Sequence, residues 1–176
     1  LGTFLLQELL QQTNARVFCL VRGTDRRDIA RKLEGALQNK LLWDESLSSR
    51  IEPVLGDLSE PLLGLSPVQF EELSKEIDLI YHNGAIVNFS YPYSELKAAN
   101  VLGTKEILKL ACRKKVKPVH FVSTVGVLSP RDGEANLLGE DVNPEHFEDL
   151  TNGYSQSKWV AERLVRIAGS RGLPIC

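Results

Sequence analysis

The sequence predicts an α/β fold in which a parallel sheet is covered by helices on both faces. Short apolar runs of about five residues, rich in strand formers, alternate along the chain with longer segments of helical periodicity. The length, 176 residues and 19.6 kDa, suits one domain and is too short for two comfortable ones.

The elements follow in order. Leu5, Leu6, Leu9 and Leu10 recur at helical spacing until Thr13-Asn14 interrupts them. Val17 to Val21 (VFCLV) reads as a buried strand, and Asp25 to Leu42 as a helix with Ile29, Leu33, Leu37 and Leu41 on every fourth position. Ile51 to Leu55 is a strand whose Pro53 places that residue near an edge or a strand start. Ser66 is an N-cap for a helix opening at Pro67. Ile77 to Tyr81 is a strand, Tyr93 to Arg113 a long helix, Val119 to Val122 a strand, and Asn152 to Ala168 a second long helix closed by Gly169. Residues 129–143, rich in Asp, Glu, Gly, Asn and Pro, form the longest loop-like stretch, of the kind that lies over a site at the carboxyl ends of strands.

The order is Rossmann-like, a doubly wound parallel sheet. Its ends read as cut: Leu1-Gly2 opens directly into a helix without a strand or leader, and Leu173-Pro174-Ile175-Cys176 reads as the first half of a strand. The expectation is an internal piece of a larger protein, with the first strand and the C-terminal substrate region outside residues 1–176.

Composition narrows the function. Apolar residues make up 43% and charged residues 25%, which excludes a disordered chain. The 21 basic and 23 acidic side chains give a net charge of -2, which selects neither nucleic acid nor an anionic membrane as partner. No apolar run approaches the roughly 18 residues of a membrane span. Cys19, Cys112 and Cys176 are far apart, and His82, His120 and His146 have no metal-ligand companion, so no metal site is expected and a reducing, cytoplasmic setting is. Asn88-Phe89-Ser90 fits the glycosylation pattern, which has no use in that setting.

Chemistry collects at the strand ends. Tyr154 and Lys158, four residues apart, share a helical face, where an ammonium beside a phenol helps it exchange a proton with a substrate oxygen. The same pair also arises by chance on amphipathic helices. Ser123-Thr124 ends the strand VHFVS immediately before that helix; its hydroxyls can donate to a carbonyl oxygen that gains charge, or merely turn the chain. Gly56-Asp57-Leu58 and His82-Asn83-Gly84-Ala85 end two other strands, where small residues admit a flat ring or a ribose and Asp57 could accept from an adenine amine. Ordinary turn chemistry explains those two stretches equally well. Arg22 follows VFCLV where an acidic residue would hold a ribose 2′-hydroxyl, so the position favours a 2′-phosphate and NADP(H). Gly2 is the one glycine at the start of the first helix, the place of a pyrophosphate site if further glycines precede it. Arg113-Lys114-Lys115-Val116-Lys117 closes a helix and reads as charge complementing its dipole rather than a docking patch.

Taken together, GDL, HNGA, Asn100-Val-Leu-Gly-Thr104, Ser-Thr and Tyr-x-x-x-Lys resemble the extended short-chain dehydrogenase/reductases. More narrowly, RIEPVLGDLSEPLLGLS, IDLIYHNGAIVNFSYPYSELKAANVLGTKEILKLA and NGYSQSKWVAERLV resemble the thioester reductase family, the reductase domains of nonribosomal peptide synthetases, aminoadipate reductases and carboxylic acid reductases. The resemblance implies NADPH-dependent reduction of an acyl thioester, held on the phosphopantetheine arm of a carrier protein, to an aldehyde or on to an alcohol. By the same resemblance Tyr154 is the proton donor and Lys158 orients it while binding the nicotinamide ribose. Thr124 holds the carbonyl oxygen with Ser123 beside it, and Asn100 supports the lysine. Arg22 and Lys32 take the 2′-phosphate, and Asp57, Leu58, Asn83, Gly84 and Ala85 line the cofactor. A fatty acyl-CoA reductase, or another extended member of the superfamily, shares these motifs. A non-catalytic dinucleotide-sensing module would have no use for Thr124, Tyr154 and Lys158 together.

Overall fold

Parallel pairing organises the chain. The computed structural model describes residues 1–129 and 142–176, so the expected loop at 129–143 lies almost wholly outside the described residues. The order is α1 (Gly2–Gln12), β1 (Val17–Val21), α2 (Arg26–Gln38), α3 (Glu45–Ser48), β2 (Ile51–Leu55), α4 (Pro67–Glu76), β3 (Ile80–His82), α5 (Tyr93–Lys97), α6 (Gly103–Cys112), β4 (Val119–Phe121) and α7 (Gly153–Ser170). Strand β1 pairs with β2 in parallel from Val17↔Ile51 to Val21↔Leu55, and β3 with β4 from Ile80↔Val119 to His82↔Phe121. Ile175 adds a parallel bridge to Val119. In a doubly wound sheet of order 3-2-1-4-5, a first strand joins the two halves. Here β1 and β3 are not hydrogen-bonded to each other, which agrees with a first strand lying outside this chain.

Alternation along the strands builds a core on each face. Val17, Cys19 and Ile51 pack with Leu6 and Leu10 of α1 and Leu37 of α2. Leu20 and Val54 turn the other way, to Phe70 of α4, Ile107 and Leu110 of α6, Ile80, Val119 and Leu173. Each aliphatic side chain fully buried in this way contributes about 1.5–3 kcal/mol. Among the described residues β2 has only β1 beside it, so Pro53, with no N–H to give, sits on an edge strand as expected. No described helix is long and apolar enough to cross a membrane.

Local chemistry sets the helix starts. Asp25 accepts from the amides of Arg27 and Asp28 at the head of α2. Ser66 and Gln69 form a reciprocal capping box on α4, with Pro67 in its first turn. Several boundaries differ from expectation. Helix α2 stops at Gln38, because the chain turns through a left-handed Leu41 (φ 59) instead of continuing to Leu42. Strand β3 begins at Ile80 and not at Ile77, whose amide still closes α4 on the Leu73 carbonyl. Gly169 lies inside α7, and the left-handed residue after the helix is Gly172 (φ 97).

The expected helix from Tyr93 to Arg113 is one rod with a defect. A π-helical turn, Ala98–Leu102, joins α5 to α6, and the Gly103 amide bonds to the Ala98 carbonyl five residues back. Such widened turns occur mostly as single bulges inside α-helices, frequently at functional sites. This one carries Asn100.

Candidate active site

Four strand ends define one edge of the sheet. After β1, Arg22 is exposed, and Lys32 from α2 reaches back to donate to the Arg22 carbonyl (3.1 Å) while pairing with Asp28 (2.8 Å). Two cations predicted to act together therefore stand at one strand end. After β2, Asp57 Oδ1 accepts from the Ser59 amide (2.8 Å) and hydroxyl (2.6 Å). Burial raises the Asp57 carboxyl, but these bonds and the Arg22 charge outweigh it and hold the group below the ordinary carboxylate value. Leu58 lies against Gly84 of the loop after β3, with its Cδ1 2.8 Å from where a Cβ on that glycine would stand. Asn83 meets Gly2 at the head of α1, with Nδ2 2.9 Å from the corresponding point. The expected cofactor-lining residues of three strand ends and of α1 are thus neighbours.

Beyond Ala85, the loop is pinned by Asn100. Its Oδ1 accepts from the Ile86 amide (2.8 Å), and its Nδ2 donates to the Ile86 carbonyl (3.0 Å) and to Ser157 Oγ (2.9 Å). Asn100 therefore reaches Ser157, the residue beside Lys158, while the lysine itself donates to the Val122 carbonyl. Below it, Thr104 donates to the Asn100 carbonyl (2.7 Å) and meets His82 Nε2 at 2.9 Å. The hydroxyl has a single hydrogen, so the imidazole is the donor in that second contact and is assigned as the neutral Nε2–H form. Burial, with the nearby Lys158 charge, pushes His82 down to about 4.

Helix α7 brings Tyr154 and Lys158 to the end of β4. Asn152 caps it by accepting from the Ser155 amide (2.9 Å). Gly153 allows a close crossing: a Cβ there would stand 2.4 Å from the Tyr93 nitrogen and 2.5 Å from the Tyr91 carbonyl oxygen, both rigid backbone. Lys158 is 4% exposed, donates to the Val122 carbonyl (2.7 Å) and lies 4.1 Å from the centroid of the Phe121 ring. Burial pushes its ammonium down to about 8, opposed by the Glu162 carboxylate. Thr124 Oγ1 accepts from the Gly126 amide (3.2 Å), and Gly126 packs against Ser155, next to Tyr154. Among the described residues neither the Tyr154 hydroxyl nor the Thr124 hydroxyl hydrogen has a partner, so both can serve a ligand. Ser123 is committed elsewhere: its hydroxyl donates to Glu162 of α7.

Four features of the site were not singled out from the sequence. Ser157 links Asn100 to the Tyr154 carbonyl, to which it donates (2.8 Å). Glu162 and Arg166 continue the spacing of four from Tyr154 and Lys158, a signal that was there to read. Phe89 packs edge-on against the Tyr154 ring at 5.2 Å. It is presented by a turn in which Asn88 accepts from the amides of Ser90 (2.9 Å) and Tyr91 (3.1 Å), which gives the glycosylation-like triplet a structural role.

An open parallel sheet with its polar chemistry gathered at the carboxyl ends of the strands defines a dinucleotide-binding protein of the doubly wound class. The chain belongs to the NAD-binding family described as Male sterility protein, which it matches over residues 1–176. It is 52% identical over 175 residues to a linear gramicidin synthase polypeptide of Brevibacillus parabrevis, covering 99% of this chain and 3% of that protein. L-2-aminoadipate reductase of Saccharomyces cerevisiae is 36% identical over 191 residues, covering 100% of this chain and 14% of that protein. Among solved structures, the terminal R domain from the myxalamid PKS-NRPS pathway superposes with a TM-score of 0.94 at 53% identity, over 99% of this chain and 44% of that one. The reductase (R) domain of a non-ribosomal peptide synthetase from Mycobacterium tuberculosis gives a TM-score of 0.78 at 34% identity, with the same coverage of 99% and 44%. The chain thus spans 44% of each of these two solved reductase domains.

Proposed function

We propose that residues 1–176 form the cofactor-binding and proton-donating part of an NADPH-dependent thioester reductase, acting on an acyl group carried by a phosphopantetheinyl carrier protein within a multidomain enzyme. The observation that carries this reading is the placement of Tyr154 and Lys158 on one face of α7 beside the end of β4, with the Tyr154 hydroxyl and the Thr124 hydroxyl hydrogen without partners among the described residues. The synthetase and reductase relatives support the substrate class, and three free thiols fit a cytoplasmic setting.

The residues present fit a dinucleotide. Arg22 and Lys32 supply cationic donors for a 2′-phosphate at β1, Asp57 supplies an acceptor at β2, and the Gly84–Leu58 contact leaves little side chain between ligand and backbone. Gly2 and Asn83 stand at the head of α1, where amides and dipole favour phosphate. An elongated ligand reaching from Arg22 to Lys158 crosses the strand ends from β1 to β4. When bound, the dihydronicotinamide supplies a hydride to the thioester carbonyl carbon. Thr124 donates a hydrogen bond to the carbonyl oxygen, and Tyr154 transfers its proton there as the oxygen gains charge. The buried Lys158 ammonium stabilises the phenolate left behind. Collapse of the resulting hemithioacetal breaks the C–S bond, releasing the aldehyde and the pantetheine thiol. The balance is one thioester, one NADPH and one proton in; one aldehyde, one thiol and one NADP out.

The test uses the full-length protein with an acyl-phosphopantetheine thioester, following NADPH and NADH oxidation and identifying the product by mass. NADPH oxidation with stoichiometric thiol and aldehyde, or the derived alcohol, is expected. Tight NADPH binding with no thioester-dependent oxidation would overturn the reaction and leave the nucleotide site standing.

A further inference from the structure

One face of α7 carries Tyr154, Lys158, Glu162 and Arg166 at successive turns, and the end of β4 lies along it. Lys158 holds the Val122 carbonyl (2.7 Å), and one turn later Glu162 Oε2 accepts the Ser123 hydroxyl. The other carboxylate oxygen, Oε1, accepts from Arg166 Nε (2.9 Å) and pairs with its terminal nitrogen (2.8 Å). That guanidinium also donates to the Val142 carbonyl (3.0 Å). The Glu162 side chain is 11% exposed, and its hydrogen-bond partners are Ser123 and Arg166. A buried carboxylate is costly unless paired and hydrogen-bonded, and this one satisfies both oxygens. Its hydrogen bonds span the two elements that present Thr124 and Tyr154.

We propose that Glu162 is a positioning residue for the Tyr154–Lys158 pair: it clips Ser123, and with it the strand end bearing Thr124, to α7, and it sets a fixed negative charge one helical turn from the Lys158 ammonium. The proposal rests on the assignment of Tyr154 and Lys158 to proton transfer. The surroundings of Lys158 make the charge matter. From β3 it faces His82, which is neutral; from β4 it faces the Phe121 ring and the Val122 carbonyl; from the π-turn, the neutral Asn100 approaches its neighbour Ser157. On its own helix the charged groups are Glu162 and, beyond it, Arg166, while Arg163 turns to Asn143 and the Trp159 ring. Among the described residues Glu162 is the anion whose charge acts on the Lys158 ammonium. Burial lowers Lys158 and Glu162 opposes that fall, so the carboxylate keeps the lysine cationic near neutral pH.

The experiment compares pH profiles of kcat and kcat/KM, from pH 6 to 10, for the full-length wild-type protein, Glu162→Gln, Glu162→Asp and Ser123→Ala, with NADPH affinity and thermal melting measured alongside. Glu162→Gln keeps an acceptor for Ser123 and removes the charge. The expected result is a high-pH limb, set by loss of the Lys158 proton, displaced by about one unit to lower pH, with kcat at neutral pH reduced several-fold and KM for the thioester unchanged. Glu162→Asp keeps the charge but withdraws it from Ser123; its limb stays near the wild-type position while kcat falls, as it does in Ser123→Ala. A wild-type limb position in Glu162→Gln would overturn the proposal, as would an equal loss in all three variants with no displacement, which is what a purely structural role produces. Should Glu162→Gln fail to fold, limb retention in Glu162→Asp against displacement in Arg166→Met toward higher pH, where the carboxylate loses its other partner, decides the same point. Lys158→Met with wild-type turnover would instead refute the proton-transfer assignment beneath it.

Discussion

Asn100 and Ile86 exchange a pair of hydrogen bonds, the carboxamide accepting from the Ile86 amide at 2.8 Å and donating to its carbonyl at 3.0 Å. A side chain on a π-turn thus imitates a strand partner and holds the loop after β3 in place. Its remaining hydrogen goes to Ser157 on α7 (2.9 Å), so one residue ties the loop after β3 to the helix that carries Tyr154 and Lys158.

Replacing Asn100 with Ala therefore leaves the part-buried amide and carbonyl of Ile86 without this partner and takes one donor from Ser157, which keeps its bond to the Tyr154 carbonyl. Unsatisfied buried polar groups cost about 1–3 kcal/mol each. Asn100→Ala is expected to lower stability by roughly that amount and kcat/KM by more than about tenfold. Asn100→Asp, which keeps the acceptor and loses both donors, is expected to fall between. Denaturant unfolding and NADPH oxidation measure the two effects; full activity in Asn100→Ala would show the clamp to be dispensable.

His82 links stability to pH. Its folded value near 4 lies below the ordinary 6.5, so the unfolded chain binds the proton more readily. The contribution of the neutral, buried imidazole is complete above about pH 6.5 and is lost as pH falls toward 4, a change on the order of 3 kcal/mol. Unfolding free energies measured across that window are expected to decline, and to decline less in His82→Gln.

If Arg22 and Lys32 bind a 2′-phosphate, Arg22→Ala is expected to raise KM for NADPH by about tenfold to a hundredfold while leaving NADH nearly unchanged, the loss of one charge-assisted contact. Parallel titrations with both nucleotides measure it. An equal effect on both would place Arg22 outside 2′-phosphate recognition.

Periodicity and capping made most of the fold legible. The strand VFCLV and the Ser66-Pro67 helix start were visible because a short apolar run of strand formers and N-cap chemistry are local signals. What could not be read depends on tertiary packing. The left-handed Leu62 (φ 53) and Leu63 (φ 63) are held by a 3-10 turn whose Leu62 amide bonds to Glu106 of α6, 44 residues away. The π-turn at Asn100 leaves the helical period almost intact. Lys117, read as one more surface cation at a helix end, is fully buried and donates to the carbonyls of Leu110 (3.1 Å), Arg113 (2.6 Å) and Lys115 (2.8 Å), closing α6 from inside. In the site, the Tyr154/Lys158 spacing was legible because it lies within one helix. The commitment of Ser123 to Glu162, and of Asn100 to Ile86, joins elements distant in sequence and has no local signature.

The most direct measurement is single-turnover NADPH oxidation by Tyr154→Phe in the full-length protein, with NADPH binding measured on the same sample. The expected result is NADPH affinity within about twofold of wild type and a rate reduced by at least about a hundredfold, since only the proton donor is removed. Wild-type turnover in Tyr154→Phe would contradict the assignment of Tyr154 as that donor.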